Sequence, residues 1–198
     1  MKKLFLTAAV AVSSVTFAQQ FGAKAGMNVS TISDEGFDDT KSKVGYYAGV
    51  FMNVPVSESF SIQPEVLYNN LGSKVSSTVS GTTYSSTLNL DYVAVPVMFQ
   101  YKATPQFYLE AGPEFGFLVN AKQKFDNGSS SIVTELDKED FNSFNMGVGL
   151  GLGFDISKNV GLNARYVAGF SDITKESEPA ADAKNKNNAF QVGLNIKF

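Results

Sequence analysis

The sequence predicts an all-β protein, an eight-stranded antiparallel transmembrane β-barrel with short turns at one end and four long loops at the other. Three observations predict it. Apolar residues alternate with polar or small ones along most of the chain, the period of an extended strand with two unlike faces. The connections between these alternating segments are short and long by turns. An export leader precedes them all.

The leader takes residues 1–18. Lys2 and Lys3 stand before an apolar run from Leu4 to Val15, and cleavage after Ala18 gives a mature start at Gln19. That run is shorter than the ~20 residues of a spanning helix. A lipid anchor is excluded because the chain has no cysteine. Residues 19–198 then make one domain.

The first strand sets Phe21, Ala23, Ala25, Met27 and Val29 against Gly22, Lys24, Gly26 and Asn28. The second sets Val44, Tyr46, Ala48, Val50, Met52 and Val54 against Gly45, Tyr47, Gly49, Phe51 and Asn53. In the third, Phe60, Ile62, Pro64, Val66 and Tyr68 oppose Ser61, Gln63, Glu65, Leu67 and Asn69. The fourth runs from about Thr87 to Lys102. There Val93, Val95, Val97, Phe99 and Tyr101 share a face, while Leu88, Leu90 and Tyr92 fall in the opposite phase, so a bulge near Asp91 is expected to reconcile them. The fifth has Phe107, Leu109, Ala111, Pro113, Phe115, Phe117 and Val119 against Tyr108, Glu110, Gly112, Glu114, Gly116 and Leu118.

The sixth is the purest. Phe144, Met146, Val148, Leu150, Leu152, Phe154 and Ile156 alternate with Asn145, Asp155 and the glycines at 147, 149, 151 and 153. The seventh, Val160 to Phe170, and the eighth, Phe190 to Phe198, repeat the pattern. Pro64, Pro96 and Pro113 fall inside strands, where each lacks a ladder donor, and bulges are expected to hold them.

Short connections lie at Pro55–Ser59, Ala103–Gln106 and Ser157–Asn159; long polar ones span Ile32–Lys43, Gly72–Ser86, Lys122–Ser143 and Asp172–Asn187. That alternation is the plan of short periplasmic turns and long extracellular loops, with both termini in the periplasm. The Ser/Thr-rich second loop reads as a solvated extension of two strands, and Asp126-Asn127-Gly128 as a turn.

Polarity decides which solvent the apolar face meets. A soluble carrier barrel turns that face inward, yet here the other face is glycine, asparagine and charge, and eight strands enclose only enough room for side chains. The apolar face therefore meets lipid, with Tyr46, Tyr68, Tyr101, Phe107 and Phe198 as interfacial aromatics.

Composition excludes several chemistries. With no Cys and no His, thiolate chemistry and the commonest neutral-pH base and metal ligand are missing. A net charge of -3 provides no basic patch for nucleic acid. No catalytic residue, cofactor site or metal site is assigned; the first loop's Asp34, Glu35, Asp38 and Asp39 read as solvated rather than Ca²⁺-binding. The inward charges are instead read as a structural lumen network. Lys24, Glu65, Glu110, Glu114, Arg165 and Lys197 must pair in a closed interior, with Arg165 as the hub because its fork can hold two carboxylates.

The stretches Ser61-Ile-Gln-Pro-Glu-Val-Leu-Tyr68, Tyr92-Val-Ala-Val-Pro-Val97, Phe107-Tyr-Leu-Glu-Ala-Gly-Pro113 and Ala164-Arg-Tyr166 resemble the signatures of porin-family outer membrane β-barrel proteins of the Bacteroidetes type, akin to the small OmpX and OmpA barrels. The resemblance covers the mature chain and implies a bacterial outer membrane location, with membrane lipid as a partner. It also implies recognition of the C-terminal strand, ending in Phe198, by the barrel-assembly machinery. Related sequences often carry an acidic residue where this one has Ala94. Three function classes stay open: a structural or interaction barrel with exposed loops and an unidentified extracellular partner, a narrow pore for small solutes, and a membrane-embedded enzyme.

Overall fold

The computed structural model describes residues 19–33, 41–173 and 186–198. The leader, the acidic first loop and most of the fourth loop lie outside these residues. Among the described residues there are nine strands: β1 (Gln20–Ser33), β2 (Lys41–Pro55), β3 (Phe60–Val79), β4 (Thr82–Lys102), β5 (Phe107–Asp126), β6 (Ser131–Glu135), β7 (Phe144–Asp155), β8 (Val160–Asp172) and β9 (Lys186–Lys197). Eight of them close a ring in the order β1-β2-β3-β4-β5-β7-β8-β9, sealed by antiparallel pairing of β9 with β1 from Gly22↔Lys197 to Ser33↔Lys186. Closure leaves no unpaired edge within the membrane, as backbone without water requires.

Alternation directs the side chains as the period-two pattern predicts. Leu150 is 60% exposed on the outer wall, while its neighbour Gly149 is buried. Aromatic pairs mark both rims of the apolar band. Tyr46 stacks on Tyr68 and Phe117 tilts against Phe144 toward the long-loop end, and Phe60 meets Tyr101 at the short-turn end.

The three short turns share one device. A hydroxyl accepts the backbone N–H three residues on: Ser57 from Phe60 at 3.1 Å, Thr104 from Phe107 at 2.9 Å, and Ser157 from Val160 at 3.1 Å. Each turn thereby satisfies a donor at the start of the returning strand.

Two expectations need correction. The register does shift between Asp91 and Tyr92, but the extra residue sits on β5, where Asp91 faces Asn120 and Tyr92 faces Leu118. β4 keeps one phase throughout, so Leu88, Leu90 and Tyr92 point inward beside Ala94 and Met98. The prolines, for their part, lie in unshifted register. Pro64 faces Val97 and Pro96 faces Glu114; the ladder omits pairs between Pro64↔Val97 and Leu67↔Ala94, and between Pro96↔Glu114 and Phe99↔Ala111. Gaps in the ladder, rather than bulges, absorb their missing donors.

The second long loop is ordered strand, and the third is strand over 122–126 and Ser131–Glu135, followed by a 3₁₀ turn at Lys138–Asp140. β3 and β4 continue in register to Val79↔Thr82 and turn at Ser80 and Gly81, both at positive φ. β5 carries on to Asp126, then the chain turns at Gly128, also at positive φ, with Asp126 Oδ1 accepting the Gly128 N–H. β6 returns along β5, from Asp126↔Ser131 to Lys122↔Glu135. The upper parts of β3, β4, β5 and β6 thus make a four-stranded sheet rising from one side of the barrel.

Candidate functional site

The lumen is filled at mid-height by charge. Arg165 donates from Nη1 and Nη2 to the two Glu65 oxygens at 2.9 and 2.8 Å, and from Nε to Glu110 Oε1 at 2.7 Å. Lys24 Nζ donates to Glu65 Oε1 at 2.8 Å. The remaining carboxylate lone pairs are engaged by amides: Gln63 donates to Glu65 at 2.9 Å and Gln100 to Glu110 at 3.0 Å, and Asn53 donates to Gln100 at 2.8 Å. All four charged side chains are essentially inaccessible. Bidentate geometry with full hydrogen bonding is the condition under which a buried ion cluster offsets its desolvation.

Glycines on β7 make room for this packing. A Cβ on Gly153 would lie 2.1 Å from Tyr108 Cζ, and one on Gly151 would lie 2.9 Å from Glu110 Oε1. Tyr108 in turn accepts from Asn195 Nδ2 at 3.0 Å, Asn163 Nδ2 donates to Asn195 at 2.8 Å, and Tyr47 donates to Asn163 at 2.8 Å.

The structure brings together Lys24, Glu65, Glu110 and Arg165 and leaves the other two sequence candidates apart. Lys197 pairs with Asp155 at 2.7 Å, near the short-turn end. Glu114 shares a face with Glu110, but four extended residues place it roughly 13 Å along the strand. Its Oε2 has no hydrogen-bond partner among the described residues.

Two features escaped the sequence reading. The first is the closure at the extracellular mouth. Leu71, Leu90, Tyr92, Ala121, Phe141, Ile173 and Ala189 form a buried apolar cluster, flanked by Ile32, Leu88, Leu118 and Leu136. Phe141 arrives from the segment after β6, which is held down by Asn142 N–H to Ile173 O at 2.8 Å and Leu136 N–H to Ala121 O at 3.0 Å. The opposite-phase residues of β4 were the available signal, and they belong to this cap. The second is a polar clasp at the strand irregularity. Asp91 accepts from Asn70 at 2.6 Å and Asn120 at 3.0 Å, and Lys43 donates to Leu71 O at 3.0 Å.

Above the cap, the rising sheet is apolar on the side that faces across the barrel mouth. Val75, Tyr84, Phe125 and Ile132 line a hollow of about 330 Å³ there. Its reverse side alternates through Lys74, Ser76, Thr83, Ser85, Lys122 and Lys124. Among the described residues, β6 and the end of β3 keep one edge each unpaired.

The sequence matches the family described as outer membrane protein beta-barrel domain over residues 17–175. Among solved structures, the chain is similar to Neisserial surface protein A at 15% identity, covering 90% of this chain and 97% of that one with a TM-score of 0.52. It is similar also to Ail, the attachment invasion locus protein of Yersinia pestis, at 14% identity, covering 90% and 98% with a TM-score of 0.50. These identities establish a shared fold. No curated protein matches the sequence.

Proposed function

Since the chain belongs to the outer membrane protein β-barrel domain family, we propose that it works in the bacterial outer membrane as a sealed, non-catalytic interaction barrel that displays an ordered sheet above the cell surface. The observation that carries this reading is the four-stranded rise of β3 to β6, with an apolar hollow and unpaired edges beyond the lipid band. Exposed apolar surface rimmed by polar residues marks an interaction site, and unpaired strand edges accept an added strand. The ion cluster and the apolar cap both oppose a pore, because together they occupy the lumen at two heights.

The same reading includes maturation. Residues 1–18 are removed on export, and the last strand is read by the barrel-assembly machinery. Phe198 supports this, being 79% exposed on the outer wall while its N–H bonds to Phe21 O at 2.8 Å in the closing seam.

The test pairs a recording with a truncation. Purified barrel in planar bilayers is expected to give no steady conductance; reproducible open channels would overturn the sealed lumen. Replacing residues 75–86 by a tight turn after the Lys74↔Thr87 pair should leave a folded, heat-modifiable barrel but abolish binding of surface partners to intact cells displaying it. Undiminished binding would move the interaction elsewhere.

A further inference from the structure

Among the described residues, Lys43 differs from the other buried cations. Lys24 and Arg165 each meet a carboxylate in the lumen, whereas Lys43, 5% exposed on β2, forms no ion pair with a described residue. Its Nζ donates to two uncharged oxygens, Asn70 Oδ1 at 2.5 Å and Leu71 O at 3.0 Å. An ammonium enclosed without a carboxylate in contact is costly, and burial favours the neutral amine. A neutral lysine amine is a nucleophile.

What it touches is an electrophile whose leaving group is already engaged. The Asn70 Cγ lies one bond, about 1.2 Å, from the oxygen that Nζ contacts, and Asn70 Nδ2 donates to Asp91 Oδ1 at 2.6 Å. Asp91 is itself buried, and Asn120 Nδ2 donates to its other oxygen at 3.0 Å. Three neighbouring strands supply the three groups. Asn70 and Asp91 are direct partners in the β3–β4 ladder. Lys43 reaches them because β2 takes five steps from Ser42 to Tyr47 while β3 takes four from Ser73 to Asn69, so the register breaks beside it.

We propose that Lys43 and Asn70 become joined by an amide bond, formed by the folded protein itself with Asp91 as the proton carrier. Nζ attacks Asn70 Cγ, and the carbonyl electron pair moves to Oδ1. Nζ gives one proton to Asp91, which passes it to Nδ2; the pair on Oδ1 then returns, the Cγ–Nδ2 bond breaks and ammonia leaves. Amine plus primary amide give secondary amide plus ammonia, with no oxidant consumed and the Asp91 carboxylate regenerated. Folding supplies the rate, since holding the two groups in contact replaces a bimolecular encounter, and a positioned acid-base group adds a factor of about 10² to 10⁴. The bond ties β2 to β3 where their ladder lacks pairs, at the foot of the rising sheet. In an outer membrane chain without cysteine, no disulfide can serve as that staple.

The experiment uses the full chain extracted from outer membranes and digested with trypsin. Lys43 and Lys74 are consecutive basic residues, so an unlinked chain releases peptide 44–74. A linked chain should instead release peptide 42–74, uncut at Lys43 and lighter by one ammonia, about 17 Da. The missed cleavage separates this bond from a succinimide at an asparagine, which loses the same mass but leaves Lys43 open to trypsin. In protein refolded from urea, the linked peptide should accumulate only after folding. Asp91→Asn should slow that accumulation about 100-fold or more, and Lys43→Arg, which keeps a donor in place, should abolish it. Release of peptide 44–74 at full mass from the folded, unmodified barrel would overturn the proposal, and this readout needs no variant to fold. Linkage at an undiminished rate in Asp91→Asn would overturn the role given to Asp91.

Discussion

The membrane-embedded part of the barrel and the part that rises above it are built from the same continuous strands with opposite polarity. Along β4, Val93, Val95, Val97 and Phe99 face outward in the lower half, whereas Leu88 and Leu90 face inward in the upper half and the outward positions become Thr87 and Ser85. β4 itself does not change phase. Solvent is what changes: the outer wall meets hydrocarbon below and water above, so the outward positions are apolar below and polar above, while the inward side carries the ion cluster below and the apolar cap above. The two halves meet where β5 gains its extra residue, beside Asp91. The comparison teaches that the outward face of a continuous strand marks where it leaves the bilayer, since inward apolar residues such as Leu67, Ala94 and Met98 occur in the lower half as well.

The largest effect expected from this contrast is at the ion cluster. Arg165→Ala leaves Glu65 and Glu110 in a closed interior with only Lys24 for charge compensation, and should cost about 3 to 5 kcal/mol, as other broken buried pairs do. Urea titration of the folded band by gel mobility measures it, and an unchanged midpoint would mean the lumen is wetter than the polarity contrast allows.

Next comes the lipid wall. Leu150→Arg puts a charge near the middle of β7 and should cost about 2 to 4 kcal/mol if that depth is the midplane. A nitroxide on Leu150→Cys should be relaxed by oxygen and protected from an aqueous nickel reagent; the reverse pattern would place Leu150 in water. In the upper half, Leu90→Ala removes a fully buried side chain from the cap. The expected cost is about 2 kcal/mol, at the low end for such truncations because Phe141 and Leu136 come from a segment that can settle into the gap. Conductance of that variant sharpens the comparison, since current through it would identify the cap as a barrier.

Much of this was legible because period two is strict wherever a strand separates two unlike solvents. The short-turn ends were read almost to the residue: Val54-Pro55 against Phe60, Lys102 against Phe107, and Asp155 against Val160. There apolar alternation stops at a hydroxyl-bearing turn. The third long loop was read short, with no signal for the run of β5 to Asp126 or for β6, whereas Ser73 to Thr87 was read as a solvated extension of two strands and does continue the ladder to Val79↔Thr82. The strands of that extension are held by backbone bonds and the Thr78–Thr83 hydroxyl contact at 3.1 Å rather than by a two-sided pattern. The lumen was legible in membership but not in pairing. Parity placed six charged residues inside; only height along the tilted strands decides that Arg165 meets Glu65 and Glu110, that Lys197 meets Asp155, and that Glu114 meets neither cation.

The smallest expected effect isolates the solvent from every other variable. Ile132 in β6 is 65% exposed and Leu150 in β7 is 60% exposed, so the two present nearly the same fraction of apolar surface on an extended strand. If the polarity boundary lies where β5 gains its residue, Ile132 stands in water and Leu150 in hydrocarbon. Ile132→Arg should then change the urea midpoint by no more than about 0.5 kcal/mol, as surface substitutions usually do. The same change at Leu150 should cost several times that. Ile132 also lines the hollow between Val75, Tyr84 and Phe125, so the variant should lose surface binding while keeping its fold. A destabilisation equal to that of Leu150→Arg would put β6 against lipid and move the boundary to the tip of the sheet. Unchanged stability together with unchanged binding would keep the boundary and take the hollow out of the interaction surface.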